Sequence, residues 1–299
     1  LFVVVREIEV EEMGDDPLAR DARIKLTIGT KKRRATDGPC PVSLAFDHRR
    51  GLLLVSDAIG NVVHVYSYTN DGSPVSKLGK KGSRPGHFQN IWGLAIDHDH
   101  DRILIVDSAN HRVQSWSLSE QSFLSCIGQH GSGGIKLNYP HGIAIDKHHR
   151  RIVIADTHHN RLVFLSSIDL SLLFSVGKEG TQPGEFDWPF CVAIDDDRQR
   201  VIVVDSLNHR VQVLSSIDGS FLFEFGSEGN QPGQFKDPHG VCVDNQGRII
   251  VTDFSNCRLQ AFTHEGHHIS SFNCGREKPL AVAFDEHRGL IAFSAGHRV

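Results

Sequence analysis

The sequence repeats one set of side chains that can form strong hydrogen bonds and ion pairs: a carboxylate, then an amide or imidazole, then in most copies a guanidinium. An aspartate at a strand end can accept backbone N–H bonds from the following turn, and an asparagine tolerates the left-handed conformation that such a turn needs. An arginine can pair with a nearby carboxylate. This chemistry favours an architectural role over catalysis. The five sets begin at Asp57, Asp107, Asp156, Asp205 and Asp253.

Known enzyme motifs are absent from the sequence. It contains no Gly-x-Ser-x-Gly nucleophile elbow, no Gly-x-x-x-x-Gly-Lys phosphate loop and no His-Glu-x-x-His zinc helix. Their absence favours a function without catalysis and without a cofactor, although a site assembled from distant residues needs no such motif.

The spacing of the five sets indicates a chain of repeated units. Successive aspartates are 50, 49, 49 and 48 residues apart, a period typical of repeated supersecondary structure. A second marker, a short apolar run that also ends in aspartate, precedes every set and recurs near the C-terminus, which gives six units. The runs have the length and β-branched content of buried strands. The six aspartates of this marker are Asp47, Asp97, Asp146, Asp195, Asp244 and Asp285.

The strands predict an all-β fold, a six-bladed β-propeller. The fifth unit shows four strands bounded by turn residues, and six four-stranded antiparallel blades arranged radially can bury their faces against each other. The sixth unit ends early, while the strand-like run 24–29 stands before the first unit without a blade of its own. We therefore predict that this N-terminal strand completes the sixth blade and closes the ring. The predicted organisation is an N-terminal extension, 1–23, followed by the propeller, 24–299.

Basic residues cluster in two neighbouring loops. In this connectivity, the loops that enter each blade and those between its second and third strands share one face, which we call the loop face. The cluster predicts a one-sided patch for phosphate or for an acidic protein segment, and a solvated basic turn is the structural alternative. Its members are Lys31, Lys32, Arg33, Arg34, Lys80, Lys81 and Arg84.

Aromatic residues and histidines mark the inner rim of the same face. The position five residues before each first-strand aspartate is taken by Val42, Trp92, His141, Phe190, His239 and Leu280. Tyr139 and Trp188 lie two residues upstream of rim positions. The aromatic members predict apolar contacts for a peptide or stacking platforms for unpaired bases, and packing in the channel mouth is the structural alternative.

Two motifs resemble the NHL repeat. One is Asn-His-Arg-Val at 110–113 and 208–211, and the other is Gly-x-x-Gly-x-x-Pro-Gly-x-Phe at 79–88, 177–186 and 226–235. The resemblance covers residues 24–299 and implies a binding scaffold similar to the NHL domains of tripartite-motif proteins, with target recognition for ubiquitination as a possible setting. No RING or B-box cysteines accompany it. The first unit departs from the pattern with Val62 in place of arginine, and the sixth with Ser294 in place of aspartate.

Peptidylglycine amidating lyases are propellers similar to NHL proteins, and in them histidines from different blades supply three zinc ligands. His141 and His239 match two of these positions, but Val42 occupies the third. A catalytic zinc usually needs three protein ligands and an open position, so the set is incomplete unless Cys40 supplies a ligand. We therefore predict no metal site here.

Composition suits a cytoplasmic protein. The formal charge of −4 argues against general nucleic-acid binding, although an average conceals local patches. Six cysteines without a Cys-x-x-Cys pair indicate reduced thiols. The apolar run 1–5 is too short to span a bilayer, so no membrane association is expected.

These observations together predict a non-catalytic scaffold for a protein partner. The alternatives are single-stranded RNA binding through the basic loop face and a metal-dependent lyase of the peptidylglycine amidating type. The identity of the partner and the oligomeric state are left open by the sequence.

Overall fold

Short apolar runs separated by aspartate-containing turns form 24 strands in the computed structural model of the protein, which describes residues 3–7, 24–28, 40–70, 72–128 and 135–296. Two single-turn 3₁₀ helices, Ser108–Asn110 and Thr157–His159, lie between strands. The strands pair into six four-stranded antiparallel sheets. The fold class predicted from the repeat, a six-bladed β-propeller, is confirmed.

The strands in chain order are β1 (Val3–Glu7), β2 (Ile24–Ile28), β3 (Pro41–Asp47), β4 (Leu52–Asp57), β5 (Val62–Ser67), β6 (Pro74–Leu78), β7 (Ile91–Asp97), β8 (Arg102–Asp107), β9 (Arg112–Ser117), β10 (Phe123–Ile127), β11 (Ile143–Asp146), β12 (Arg151–Asp156), β13 (Arg161–Ser166), β14 (Leu172–Val176), β15 (Pro189–Asp195), β16 (Arg200–Asp205), β17 (Arg210–Ser215), β18 (Phe221–Phe225), β19 (Pro238–Val243), β20 (Ile249–Asp253), β21 (Arg258–Phe262), β22 (His268–Asn273), β23 (Lys278–Asp285) and β24 (Leu290–Gly296). Blades 1 to 5 are β3–β6, β7–β10, β11–β14, β15–β18 and β19–β22.

The first strand of every blade lines a central channel. These strands contact one another in order around the ring, and β23 contacts β3 to complete it. The apolar core is divided accordingly, because each of the six interfaces between neighbouring blades holds one cluster of buried side chains. Face-to-face burial between blades thus replaces a single central core.

Both ends of the chain build blade 6, in the order β2-β1-β24-β23. Strand β1 pairs with β24, with Val3 opposite Ser294, and β2 pairs with β1 on its other side. The strand at 24–28 therefore belongs to the closing blade as predicted, but two N-terminal strands close the ring and not one. Residues 3–7, assigned from the sequence to an N-terminal extension, form the third strand of blade 6. The run 297–299, expected to be that strand, lies outside the described residues.

A buried carboxylate organises the turn between the second and third strands. In blade 4, Asp205 Oδ1 accepts the Asp187 N–H at 2.7 Å, while Oδ2 accepts Arg210 Nε at 2.8 Å and Gln212 Nε2 at 3.0 Å. Arg210 also donates to the Glu185 carbonyl at 3.0 Å, in the loop that enters the blade. Blades 2 and 5 repeat this network. The architectural role predicted for the recurring aspartates and arginines is confirmed.

The glycine-rich loops are fixed by a buried phenyl ring. Phe235 is fully buried, and Gly226 faces its ring with φ of +96°. A Cβ added to Gly226 would lie 2.5 Å from Phe235 Cδ2, so the position excludes a side chain for two reasons at once. Phe88 and Phe186 are buried in the same way in blades 2 and 4.

Candidate functional site

Two large aromatic residues on the loop face have a left-handed backbone conformation. Small polar residues occupy the equivalent positions of two other blades. The position two residues before the rim has φ of +53° at Asn90 and +50° at Asp237, where the residue type suits the left-handed region. The same position has φ of +44° at Tyr139 and +56° at Trp188. A left-handed residue with a Cβ costs about 1–2 kcal/mol, so blades 3 and 4 hold aromatic side chains in strained turns.

These turns are held by the preceding blade. The Tyr139 N–H donates to His111 Nδ1 at 3.2 Å, and the Trp188 N–H donates to Asn160 Oδ1 at 3.0 Å. His111 and Asn160 are themselves left-handed residues of the turn between the second and third strands of blades 2 and 3. The repeated motif therefore positions the aromatic residue of the next blade.

Four rings form a continuous strip across blades 2 to 4, which we call the aromatic ladder: His111, Tyr139, His158 and Trp188. The centroids of His111 and Tyr139 are 4.6 Å apart, those of Tyr139 and His158 are 4.6 Å apart, and those of His158 and Trp188 are 5.0 Å apart. Trp188 is 39% exposed and His158 is also exposed. The sequence pointed to Tyr139 and Trp188 but missed both histidines. Both histidines lie in the turn between the second and third strands of a blade, and this position could have placed them on the loop face.

A second group of rings, the rim cluster, fills the channel mouth: Trp92, His141, Phe190 and His239. Trp92 packs on His141 with centroids 4.6 Å apart and edge-on against Phe190 at 5.0 Å. Phe190 stacks on His239 at 4.3 Å. The cavity left at this end, lined by all six rim residues, has a volume of about 90 Å³. The predicted rim residues thus meet, and they pack mainly on one another.

The rim cluster keeps polar atoms without hydrogen bonds. Trp92 Nε1, His141 Nδ1 and His239 Nδ1 are buried and have no partner within the described part of the chain. Burial lowers the pKa of His141 to about 3, and repulsion from His158 and His239 adds to the effect. Burial likewise lowers the pKa of His239 to about 4. Both imidazoles are therefore neutral at neutral pH, and a bound ligand can satisfy the orphaned atoms.

The two rim histidines are not arranged to share a metal ion. The Phe190 ring stands between them, 4.7 Å from the His141 ring and 4.3 Å from the His239 ring. In the described ranges, no third His, Cys, Asp or Glu brings a ligand atom to them. Burial raises the pKa of the Cys40 thiol, which disfavours the thiolate that zinc requires.

The basic loop between β6 and β7 borders the ladder. Lys80, Lys81 and Arg84 are exposed, and Arg112 holds the loop by donating to the Arg84 carbonyl at 3.0 Å. Among the ion pairs of the described residues, none involves these three. Lys31, Lys32, Arg33 and Arg34, the other half of the predicted patch, lie outside the described residues.

The charge of this loop differs from that of its counterpart in blade 4. There, Lys178 pairs with Glu185 at 3.1 Å. The glutamate position of that loop is taken by His87 in blade 2. The loop that enters blade 2 therefore has no glutamate at this position to pair with its lysines.

Comparison with known proteins identifies the repeats. A family model described as NHL repeat matches residues 137–163 and 235–262, in blades 3 and 5. A second model, described as a 6-bladed beta-propeller, matches residues 45–129, in blades 1 and 2. No curated protein matches the sequence.

Several solved structures share the fold. A chain of a Nidogen/Laminin complex aligns with TM-score 0.66 and 14% identity over 91% of this chain and 93% of that chain. A catalytically inactive virginiamycin B lyase from Staphylococcus aureus aligns with TM-score 0.59 and 14% identity, covering 83% and 75%. Hydrazine synthase from Kuenenia stuttgartiensis aligns with TM-score 0.59 and 11% identity, covering 87% and 93%. At such identities these likenesses establish the fold alone.

The comparisons carry no information on RNA binding, ubiquitination or a likeness to tripartite-motif proteins, which stay predictions. Within the described residues, no helix has the length and apolar character needed to cross a membrane.

Proposed function

The chain belongs to the NHL-repeat β-propeller family, and from this premise we propose that it is a non-catalytic scaffold that binds a protein partner on its loop face. The observation that carries the proposal is the strained left-handed backbone at Tyr139 and Trp188. Equivalent turns in blades 2 and 5 avoid the strain with Asn90 and Asp237. Backbone strain is typical of functional sites, where packing elsewhere in the structure offsets its cost.

The chemistry of the face indicates the kind of partner. Tryptophan and tyrosine are among the residue types that most often anchor protein interfaces, and the ladder presents an exposed Trp188 and a half-buried Tyr139. The basic loop lies next to the ladder through Asn110, whose Nδ2 donates to the Gly82 carbonyl at 3.0 Å. We therefore propose an occupant with apolar or aromatic side chains over blades 3 and 4 and acidic residues towards Lys80, Lys81 and Arg84.

Two observations support a scaffold over a lyase. His141 and His239 are separated by the Phe190 ring, and their lowered pKa values leave them unable to act as cationic acids at neutral pH. A fold neighbour is known from a Nidogen/Laminin complex, which agrees with protein binding by this fold.

Single-stranded RNA is the second candidate. The stacked pair of Tyr139 and His158, with planes 29° apart, is a surface on which a base can stack, and the unneutralised Lys80 and Lys81 lie on the same side. Binding of RNA would fall steeply with salt, because phosphate contacts release counterions. Binding of a protein through the ladder would depend much less on salt.

Thiol chemistry supports the proposed cytoplasmic location. Cys191 and Cys242 are thiols and not disulfides, and burial raises the pKa of both. Such protonated thiols persist in a reducing compartment. Target recognition for ubiquitination stays a prediction from the family resemblance.

The test is affinity capture with quantitative readout, followed by binding of the captured partner to purified protein. The variant is Tyr139→Asn with Trp188→Asn, which places in blades 3 and 4 the residue type found in blade 2. The control is Leu222→Asn, which removes a side chain that is 46% exposed on β18, away from the ladder. We expect the partner to be lost in the first variant and kept in the control. Equal capture by wild type and the double variant would overturn the proposal, and salt-sensitive RNA lost with Lys80→Glu and Lys81→Glu would replace it with the second candidate.

A further inference from the structure

The channel has a second mouth, opposite the loop face, and its lining is chemically different. The turn after the first strand of each blade places the residue that follows the first-strand aspartate at this opening, which we call the far mouth. The cavity here has a volume of about 460 Å³, against about 90 Å³ at the rim cluster. The six residues, one from each blade, are His48, His98, Lys147, Asp196, Asn245 and Glu286.

Three side chains of blades 1 and 6 converge at one side of the far mouth. Ligand atoms of His48, Glu286 and His287 all lie within 4.8 Å of one another. The imidazole centroids of His48 and His287 are 3.9 Å apart, and His287 Nε2 lies 3.6 Å from Glu286 Oε1. Two imidazoles and a carboxylate thus meet from the two blades that join at the closure of the ring.

We propose that His48, Glu286 and His287 bind a zinc ion that links blade 6 to blade 1, with water in the fourth position. Two imidazoles and one carboxylate suit zinc, which takes nitrogen at about 2.0–2.1 Å and oxygen at about 2.0–2.2 Å in tetrahedral geometry. The ligand atoms must approach each other to reach those distances. Glu286 and His287 can do so because their side chains are 53% and 57% exposed.

An unpartnered atom beside the three ligands independently indicates a polar occupant. The His98 side chain is only 10% exposed, lines the same cavity, and has no hydrogen bond at Nδ1 in the described structure. Its ring packs edge-on against His48 with centroids 4.6 Å apart. Buried polar groups of this kind usually hold a water or a ligand. His98 is a positioning residue that orients the His48 ring and can bond a water on the ion.

One cation competes with the ion for a ligand. Lys147 of blade 3 reaches across the channel, and its Nζ lies 3.5 Å from Glu286 Oε1. The pair is exposed on both sides and contributes at most about 1 kcal/mol. Zinc must displace this ammonium group, so removing the lysine charge is expected to tighten zinc binding.

A link between blades 1 and 6 would act at the interface whose buried cluster is richest in alanine. The cluster holds Ala281, Ala283 and Ala292 beside larger residues such as Leu53 and Tyr68, whereas each of the other five clusters holds at most one buried alanine. Alanine buries less apolar surface than leucine or phenylalanine. The sequence pattern placed Ser294 at the position of the network aspartate in blade 6, but the strand register places Ala295 there: it pairs with Pro279, as the network aspartate pairs with the first strand in blades 1, 2, 4 and 5. An ion bound only by the folded ring stabilises it by mass action.

The experiment measures zinc bound by the full chain after removal of metals, by competition with a chromophoric chelator, together with the visible spectrum of bound Co²⁺. We expect one zinc per chain, a tetrahedral Co²⁺ spectrum, and a rise in Tm of about 5 °C at zinc concentrations about 100 times Kd. His48→Ala, His287→Ala and Glu286→Gln should each weaken binding about 100-fold or more. Lys147→Met should tighten it by up to about fivefold.

The control variant is His267→Ala, which removes an exposed histidine from a turn of blade 5. Equal weakening by His267→Ala and His48→Ala would mean scattered surface binding and would overturn the site. So would the absence of stoichiometric zinc, or full binding by Glu286→Gln. If His48→Ala does not fold, Glu286→Gln still decides the question, because it changes an exposed side chain.

Discussion

Phe190 stacks on His239 with ring centroids 4.3 Å apart and ring planes 6° apart. This contact joins blade 4 to blade 5 at the channel mouth and buries an imidazole that has no hydrogen bond at Nδ1 in the described structure. The rim cluster therefore contains a histidine held as an aromatic ring and not as a base. Protonating His239 would place a charge in a buried site, and the loss of hydration makes this costly.

We expect the free energy of unfolding to fall as the pH drops from 6.5 to about 4. Histidine has an ordinary pKa of 6.5, while the folded protein holds His141 at about 3 and His239 at about 4 because both are buried. Between these pKa values the unfolded chain binds protons at the two histidines and the folded chain does not. The contribution of each histidine to the free energy of unfolding is therefore fully present above pH 6.5 and is lost as the pH falls. Each histidine contributes a slope of up to about 1.4 kcal/mol per pH unit.

The measurement is denaturant unfolding across that window for wild type and His239→Phe, which keeps a ring in the stack. The variant should lose up to about 1.4 kcal/mol per pH unit of the slope. His267→Phe, at an exposed turn, serves as the control. Identical slopes for wild type and His239→Phe would show that the stack does not set the pH dependence.

Asp205→Asn should destabilise the protein far more than Asp57→Asn. The amide introduced at position 205 would present N–H groups to Arg210 Nε and Gln212 Nε2, which are both donors. Arg210 would keep its ion pair with Glu224 at 2.8 Å but would lose the buried carboxylate that accepts from Nε, at a cost of about 2–3 kcal/mol. Asp57 faces no arginine, because Val62 stands at that position, and its side-chain partner is His64 at 3.4 Å. Its loss should cost about 1 kcal/mol. Chemical denaturation at neutral pH compares the two, and equal losses would contradict the role given to the arginine.

Comparing Gly226→Ala with Gly275→Ala separates two reasons why a position requires glycine: a positive φ and a lack of space for a Cβ. Both positions have positive φ, +96° and +72°, so an alanine at either costs about 1 kcal/mol in the backbone alone. Only Gly226 also faces the fully buried Phe235, and no atom lies within 4 Å of a Cβ at Gly275. We expect a total loss of about 3 kcal/mol for Gly226→Ala, since the phenyl ring must move in a packed core. Thermal and denaturant unfolding give both values, and a loss at Gly226 no larger than at Gly275 would refute the packing argument.

The repeat made most of the fold predictable. The markers at Asp47 and Asp57, and their copies, defined the blades. In blades 1 to 5, the aspartate that ends the second strand accepts a backbone N–H from the loop that enters the blade. The run 3–7 carries neither marker, so nothing in its spacing tied it to β24. Closure of the ring depends on the pairing of strands from opposite ends of the chain, and a local residue pattern does not specify that pairing.

The candidate sites were predictable only in part, for a similar reason. Position in the repeat placed Trp92 and His141 on the rim, and the structure brings their rings together. The stacking of His158 between Tyr139 and Trp188 depends on the angle between neighbouring blades, which no residue pattern encodes directly. The grouping at the far mouth joins residues from opposite ends of the sequence, and it arises only because blade 6 meets blade 1.

Trp188→Asn should separate binding from stability. The variant installs at the left-handed turn of blade 4 the residue type that blade 2 has at Asn90, and the backbone N–H of position 188 can still donate to Asn160 Oδ1. Because asparagine tolerates this conformation better than tryptophan, we expect the free energy of unfolding to stay equal or rise by up to about 1 kcal/mol. The exposed indole is lost from the ladder, so partner affinity should fall by at least tenfold if it is an anchor. Denaturant unfolding and direct binding to the captured partner are measured on the same preparation. A variant that loses stability along with binding would indicate that Trp188 is there for packing, whereas a stable variant with weakened binding would show that the protein retains a strained turn for recognition.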